Sequence, residues 1–185
     1  MSIPMPQAAN INSSDIQALC KRLVPDSQPI YLDVEKYDLS IENDCYANVE
    51  KVIQSKGGSI QYGWQIWETL LGVMAEAEFH AVWVDPHKKY HDITPKALPG
   101  IDRILFLPDL NRVYAGRQID NIRIALRTDP LISQFIQNEE NYFEVMNRGE
   151  LANYHGEIIM TPEIERILEK KREFLTALVQ KYYQT

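Results

Sequence analysis

The chain has 185 residues, of which 45% are hydrophobic and 24% charged, and its formal net charge is −7. This balance is typical of one globular domain with a buried core, and it excludes an intrinsically disordered chain. The acidic charge argues against nucleic-acid binding, because affinity for phosphates depends on a basic surface. No apolar run approaches the ~20 residues that a membrane span needs.

The first twelve residues are polar and carry prolines, which predicts a mobile lead-in over residues 1–12. They contain neither the basic region nor the apolar core of a signal peptide, so we expect a cytoplasmic location. In that reducing compartment the two cysteines, Cys20 and Cys45, are expected to be thiols.

A helix and a strand are predicted after this lead-in. Ser13 or Ser14 can cap a helix whose apolar residues recur at helical spacing. Cys20 falls on this apolar stripe and is expected to be a small core residue. Residues 29–35 then alternate apolar and polar side chains, which is the pattern of a half-buried strand.

A second helix is predicted to begin near Cys45. Asn43 or Asp44 can cap it, and Gly57-Gly58 gives a strong stop. Cys45 therefore lies in the first helical turn. There the unpaired N–H groups and the positive end of the helix dipole stabilise a thiolate.

Three antiparallel strands are predicted next, over residues 59–67, 78–85 and 90–94. The apolar stretch 69–74 between the first two is expected to be a loop packed over the site. Residues 101–107 predict a further short strand at the edge of the sheet.

The remainder of the chain is predicted to be helical. Apolar residues at 119, 122 and 126 indicate one helix, and two later helices begin after Asp129 and Thr161, each followed by proline. The sequence therefore predicts an α+β fold with a core over residues 13–110 and a helical C-terminal region over residues 111–185. If the apolar stripe of the last helix is not fully used by the core, we expect a homodimer through the C-terminal helices.

The helix start and two of the strands carry the residue types of a thiol-dependent site. Cys45 is a candidate nucleophile, His80 its general base and acid, and Asp92 the group that orients the base. His87 and His91 compete with His80 for this role. Because neighbouring residues of a strand face opposite sides, either His91 or Asp92 faces the site, and we choose Asp92.

Other interpretations of the same residues remain open. Cys45 can be a core thiol and His80 a structural histidine, in which case the fold serves as a catalytically inactive binding or structural module. A zinc site from Cys45, His80 and either His91 or Asp92 lacks the closely spaced ligand pair of typical zinc sites, so no metal is expected.

The residues that surround the site are predicted to bind a small-molecule or peptide substrate. The candidates are Asn48, Gln61, Gln65, Trp64 and Trp67. No glycine-rich phosphate loop or dinucleotide fingerprint occurs, so no cofactor is predicted.

Five motifs of the chain resemble a group of bacterial proteins with a transglutaminase-like or papain-like cysteine hydrolase core. They are Asp44-Cys45-Tyr46-Ala47-Asn48-Val49, Gly57-Gly58, Tyr62-Gly63-Trp64-Gln65-Ile66-Trp67, Glu78-Phe79-His80-Ala81-Val82-Trp83 and Asp92-Ile93-Thr94-Pro95. The resemblance covers about residues 30–110 and implies a hydrolase or acyltransferase that acts on amide-type bonds without a metal, through Cys45, His80 and Asp92. The glutamine that precedes the cysteine in papain-like proteases has no counterpart here.

Overall fold

The computed structural model describes residues 5–38, 40–149, 151 and 160–184. The described chain has an α+β fold with an antiparallel sheet and C-terminal helices. Its elements in chain order are β1 (Gln7–Ala8), α1 (Ser14–Leu23), β2 (Ile30–Asp33), α2 (Cys45–Lys56), β3 (Ser59–Leu70), β4 (Met74–Val84), β5 (Tyr90–His91), β6 (Arg103–Pro108), β7 (Ile122–Ala125), α3 (Pro130–Met146) and α4 (Pro162–Tyr183).

The long hairpin of β3 and β4 forms the centre of the sheet. The strand order is β2-β6-β3-β4-β5, with β1 also on β3 and β7 also on β4. Both hairpin strands extend further than predicted, so residues 69–74 do not form a loop over the site. Leu70 and Met74 are buried, and together with Val73 they pack against α3 and α4 instead. Burial of this apolar turn against two helices favours a continuous hairpin over a free loop.

Strand β6 is an interior strand, although residues 101–107 predicted an edge strand. It pairs with β2 on one side and with β3 on the other. Its residues 104–107 are fully buried. A short run that is apolar at consecutive positions is typical of a strand covered on both faces, which is what β6 is.

The helix predicted around residues 119–126 is a strand. Residues 122–125 form β7 and pair antiparallel with residues 74–77 of β4. Their spacing fitted a helix as well as a strand, and the unpaired edge of β4 decided the outcome by supplying hydrogen-bond partners.

The polar start of the chain is tied to the sheet, in contrast to the predicted mobile lead-in. Gln7 pairs with Glu68 of β3, and Ala8 pairs with Trp67. Ala9 is fully buried in the core beneath α1. The two residue pairs with β3 and the buried methyl group of Ala9 hold this segment in place, which its polar composition did not predict. Residues 1–4 lie outside the described residues.

Helix α4 buries its apolar stripe within the chain. Ile164, Ile167, Leu178 and Val179 are all buried. Their partners lie on α3 and on the turn between β3 and β4. A homodimer through the C-terminal helices stays a prediction. None of the described helices combines the length and apolarity that crossing a membrane requires.

Gly63 of β3 leaves no room for a side chain against the neighbouring strand β6. A Cβ atom there would overlap the carbonyl oxygen of Leu107 and lie 2.6 Å from Cζ of Phe106. We expect Gly63→Ala to lower the free energy of unfolding by about 3 kcal/mol, since the crowded strands cannot move apart without losing core packing. Urea unfolding measures this. Gly116→Ala is the control: it adds a methyl group in open space at a positive φ of 77°, and should cost only about 1 kcal/mol of backbone strain. Equal effects of the two changes would contradict the prediction.

Candidate active site

Cys45 is the first residue of α2. The preceding Asp44 makes no side-chain hydrogen bond to the helix, so its carboxylate does not occupy the first-turn N–H groups. Cys45 is 7% exposed and is a free thiol. Behind it, Val49 and Val52 pack on Ala81 of β4. This packing fixes the thiol beside the middle of β4.

The middle of β4 has a strand neighbour on one edge only, within the described chain. Residues 74–77 pair with β7 and residues 83–84 with β5, while β3 covers the opposite edge along most of its length. The stretch between them contains His80, which is 3% exposed. The start of α2 lies against this gap, where the Tyr46 hydroxyl donates a hydrogen bond to the carbonyl oxygen of Phe79 at 3.3 Å.

The imidazole of His80 joins the thiol to a carboxylate. Its Nε2 lies 3.1 Å from Oδ1 of Asp92, and the Cys45 side chain is close enough to the same ring to raise its pKa. Because Nε2 is used by Asp92, Nδ1 is the ring nitrogen left for the thiol. The ring of Phe106 packs edge-on against the imidazole. The structure thus brings Cys45, His80 and Asp92 together.

Asp92 follows β5 and is held by backbone hydrogen bonds. The N–H group of Glu35 donates to its carbonyl oxygen at 2.8 Å, and the N–H group of Thr94 donates to its Oδ1 at 3.2 Å. The carboxylate is completely buried. The preceding His91 faces the other way, between the carboxylates of Glu35 and Asp85 at 2.7 and 3.2 Å. The alternation along the strand therefore separates the two residues.

Charge and burial oppose one another at His80. Burial lowers the pKa of its imidazole, and the neighbouring charge of Lys96 lowers it as well. The Asp92 carboxylate and the hydrogen bonds to Asp92 and Cys45 have the larger combined effect and raise the pKa to about 9. At neutral pH His80 is therefore an imidazolium.

The pKa of the Asp92 carboxylate shifts in the opposite direction, to a lower value. Burial alone would raise the pKa of Asp92, but the positive charges of His80 and Lys96 and their hydrogen bonds hold it below its ordinary value. Asp92 is thus an anion at neutral pH. The buried pair is an ion pair rather than two neutral groups.

Lys96 is a member of this cluster that sequence reasoning missed. Its Nζ lies 2.8 Å from Oδ2 of Asp92, and only 8% of its side chain is exposed. It also donates a hydrogen bond to Oε1 of Gln65 at 3.2 Å. A lysine four residues after a candidate catalytic aspartate, in a segment with few other charges, was the available signal.

Cys45 lines a cavity of about 760 Å³. Its walls come from the start of α2, from β4, from residues 114–123 and from the facing sides of α3 and α4. Cys45 forms part of the wall, next to stacked rings of Tyr46 and Tyr114 whose centroids are 3.8 Å apart. This volume is within the range of small-molecule sites.

Carboxylates outnumber cations in the lining of this cavity. The acidic side chains are those of Asp44, Glu76, Glu78, Asp120 and Glu139, and the basic ones those of Arg123 and Lys171. Two short ion pairs form, between Lys171 and Glu139 at 2.6 Å and between Arg123 and Asp120 at 3.0 Å. Burial raises the pKa of Glu76, and the nearby charges of Glu78 and Glu139 add to that effect, against Arg123 and a hydrogen bond from Asn121. The lining therefore disfavours anionic ligands.

The residues predicted to bind substrate do not line this cavity. Trp64 and Trp67 are buried in the core on opposite faces of β3. Gln61 donates to the carbonyl oxygen of Asp109 at 3.2 Å, away from the thiol. Aromatic residues on a buried strand supply core packing, and alternation alone did not show which face meets the nucleophile.

Asn48 and Gln65, the other two residues predicted to bind substrate, connect the segments that carry the site. Asn48 exchanges hydrogen bonds with the backbone of Ile41 at 2.8 and 2.9 Å and reaches Oγ1 of Thr94 at 3.4 Å. It thereby ties the Cys45 helix to the Asp92 segment. Gln65 connects Lys96 to Glu78, a residue of the cavity wall.

Among the described residues, no group of three or more histidine, cysteine, aspartate and glutamate side chains could hold a metal ion. Comparison with protein-family models, with curated proteins and with solved structures finds no match to this chain.

Proposed function

We propose that this protein is a thiol-dependent hydrolase or acyltransferase that acts on an amide-type bond. The observation that carries the proposal is the proximity of three side chains: the Cys45 thiol, the neighbouring His80 imidazole, whose pKa the thiol helps to raise, and the Asp92 carboxylate 3.1 Å from Nε2 of that ring. Cys45 lines a cavity of suitable size. A nucleophile, a base and a group that orients the base are the parts such chemistry needs.

The proposed reaction begins with an ion pair. The attacking species is the Cys45 thiolate beside the His80 imidazolium, and its sulfur attacks the carbonyl carbon of the substrate to form a C–S bond. The oxyanion that develops is stabilised by the backbone N–H group of Cys45 and by the helix dipole. The His80 imidazolium then gives its proton to the leaving amine, and the C–N bond breaks to leave a thioester.

The second half of the reaction regenerates the thiol. Water, or an amine acceptor in a transferase, loses a proton to His80 and attacks the thioester carbonyl. The C–S bond breaks, and the sulfur recovers its proton from His80. The excess of carboxylates in the cavity favours neutral or positively charged substrates, small molecules or peptides, over anionic ones.

The order of the three residues also supports assignment to a transglutaminase-like or papain-like core. The cysteine starts a helix packed on an antiparallel sheet, the histidine lies on a strand, and the aspartate follows the next strand. The chemistry requires free thiols, and both cysteines are free. It therefore suits a reducing compartment, for which we propose the cytoplasm.

The rate of alkylation by iodoacetamide, followed for each cysteine by peptide mass spectrometry, tests the proposal. At pH 7 we expect Cys45 to react at least roughly tenfold faster than Cys20, because an imidazolium stabilises the reactive thiolate. Burial raises the pKa of the Cys20 thiol to about 11, which keeps it protonated. In the His80→Ala variant the advantage of Cys45 should largely disappear.

His91→Ala is the matched control for this experiment. His91 is also a largely buried histidine paired with carboxylates, but it faces Glu35 and Asp85 rather than the thiol. Its removal should leave the Cys45 rate unchanged. A Cys45 that reacts no faster than Cys20, and that does not respond to the loss of His80, would refute the proposal in favour of an inactive binding module.

A further inference from the structure

Lys96 occupies a position that a merely solubilising lysine would not take. Only 8% of its side chain is exposed to solvent, and its Nζ lies 2.8 Å from Oδ2 of Asp92. A buried ammonium group is costly unless it is paired with a charge and hydrogen-bonded. Here the second partner is the Oε1 atom of Gln65, at 3.2 Å.

The donors around Asp92 determine which atoms of the cluster carry protons. The ammonium group of Lys96 forms an ion pair with Oδ2, and the backbone N–H group of Thr94 donates a hydrogen bond to Oδ1, so both groups favour the charged carboxylate. A carboxylate with these neighbours stays deprotonated. The Nε2 atom of His80 must then be the donor in its contact with Oδ1, which leaves Nδ1 to exchange a proton with Cys45.

A continuous chain of contacts runs from the thiol back to the cavity wall. It passes from Cys45 through His80, Asp92 and Lys96 to Gln65, which donates a hydrogen bond to the carboxylate of Glu78. Gln65 is 5% exposed, and its position is fixed by pairing with Glu78 across β3 and β4. Gln65 therefore orients Lys96 by accepting one of its hydrogen bonds while its own amide is held on the other side.

We propose that Lys96 is a positioning residue of the site, which holds Asp92 as an ionised acceptor and limits how strongly that carboxylate binds the proton of His80. This inference rests on the proposed function for its catalytic meaning. The ammonium group of Lys96 repels the His80 imidazolium, and this repulsion lowers the His80 pKa against the attraction of Asp92. Without the lysine, Asp92 has His80 as its single charged partner among the described residues.

The groups that face His80 support this assignment. They are Asp92 and Lys96 from the segment after β5, Cys45 from α2 and the uncharged ring of Phe106 from β6. Lys96 is the cation in this set. Its loss should therefore keep the imidazolium protonated to higher pH, and the base form of His80 would appear only in more alkaline solution.

Titration of the His80 ring by NMR in the full chain tests the proposal without requiring turnover. In Lys96→Gln, where a neutral amide can still donate to Asp92, the midpoint should shift to higher pH. Lys96→Met should shift it in the same direction. Lys96→Arg, which restores the charge, should return the midpoint to that of the wild-type protein, and Lys21→Met, which removes an exposed lysine of α1, should not change it.

An unchanged or lowered midpoint in a folded neutral variant would overturn the proposal. If both neutral variants fail to fold, Lys96→Arg decides: a midpoint that departs from the wild-type value despite the retained charge overturns it, and an unchanged midpoint supports it. The alkaline limb of the pH dependence of kcat should move with the ring titration. A ring midpoint that moves in a protein without turnover would refute the hydrolase function and leave the role of Lys96 intact.

Discussion

Replacement of Cys45 by alanine is expected to abolish acyl transfer. With p-nitrophenyl acetate as an activated acyl donor, the wild-type protein should release a burst of one p-nitrophenol per chain and gain the mass of one acetyl group on Cys45. In Cys45→Ala both the burst and the added mass should be lost, and the steady-state rate should fall at least about 10³-fold, since nothing else in the cluster can replace the nucleophile. Stopped-flow absorbance and intact-protein mass spectrometry measure these effects.

Cys20→Ala is the matched control because it removes the second thiol. Cys20 is 3% exposed and lies on the buried face of α1, in a different core cluster from Cys45. We expect its replacement to preserve the burst and the acetyl adduct. Loss of the acetyl adduct in Cys20→Ala, or a burst that survives in Cys45→Ala, would assign the reactivity to a different group.

The stability of the protein is expected to fall as the pH rises from about 6.5 to about 9. The pKa of His80 is about 9 in the folded protein and 6.5 as an ordinary value, so the folded state binds its proton more tightly. This stabilisation is fully present below pH 6.5 and is lost as the pH rises through the folded-state pKa. The difference corresponds to a loss on the order of 3 kcal/mol in the free energy of unfolding.

Denaturant unfolding at a series of pH values, in the wild type and in His80→Gln, isolates this contribution. The slope between pH 6.5 and 9 should be much shallower in the variant. The comparison ends at pH 9 because of Cys20. Burial raises the pKa of its thiol from 9.0 to about 11, so the contribution of Cys20 to the free energy of unfolding is also lost as the pH rises above 9. Parallel curves for the two proteins would show that His80 is not held as an imidazolium.

The local part of the candidate site was visible in the sequence. A cap followed by an apolar stripe predicted the helix that starts at Cys45, and alternation predicted the strand that carries His80. The choice of Asp92 over His91 used the two-residue period of a strand, and the structure places these side chains on opposite sides. These features depend on backbone geometry between near neighbours, which a single sequence records.

The surroundings of the site could not be predicted in the same way. Trp64 and Trp67 are candidates for substrate binding from the sequence, but both are buried core residues, and much of the cavity is lined by α3, α4 and residues 114–123. Those segments lie far along the chain from Cys45. Their approach depends on how α3 and α4 pack on the turn of the central hairpin, and periodicity contains no information about that packing.

The strand neighbours at the edges of the sheet also could not be predicted from local sequence. Residues 122–125 had a spacing compatible with a helix, and they form β7 because the start of β4 offered unpaired hydrogen-bond groups. The pattern of residues 101–107 predicts an edge strand, but the strand that forms there, β6, lies between β2 and β3. Strand pairing joins distant segments, so the identity of a strand's neighbours is a property of the whole fold.

The sequence by itself determined the α+β class and the positions of the cysteine and the histidine, because capping and hydrophobic periodicity act over a few residues. Only the tertiary structure decided that Lys96 and Gln65 belong to the cluster and that Cys45 lines a cavity. Burial is the physical reason. Inside the protein an ammonium group must find a carboxylate, and which carboxylate it finds is settled by packing that no local pattern encodes.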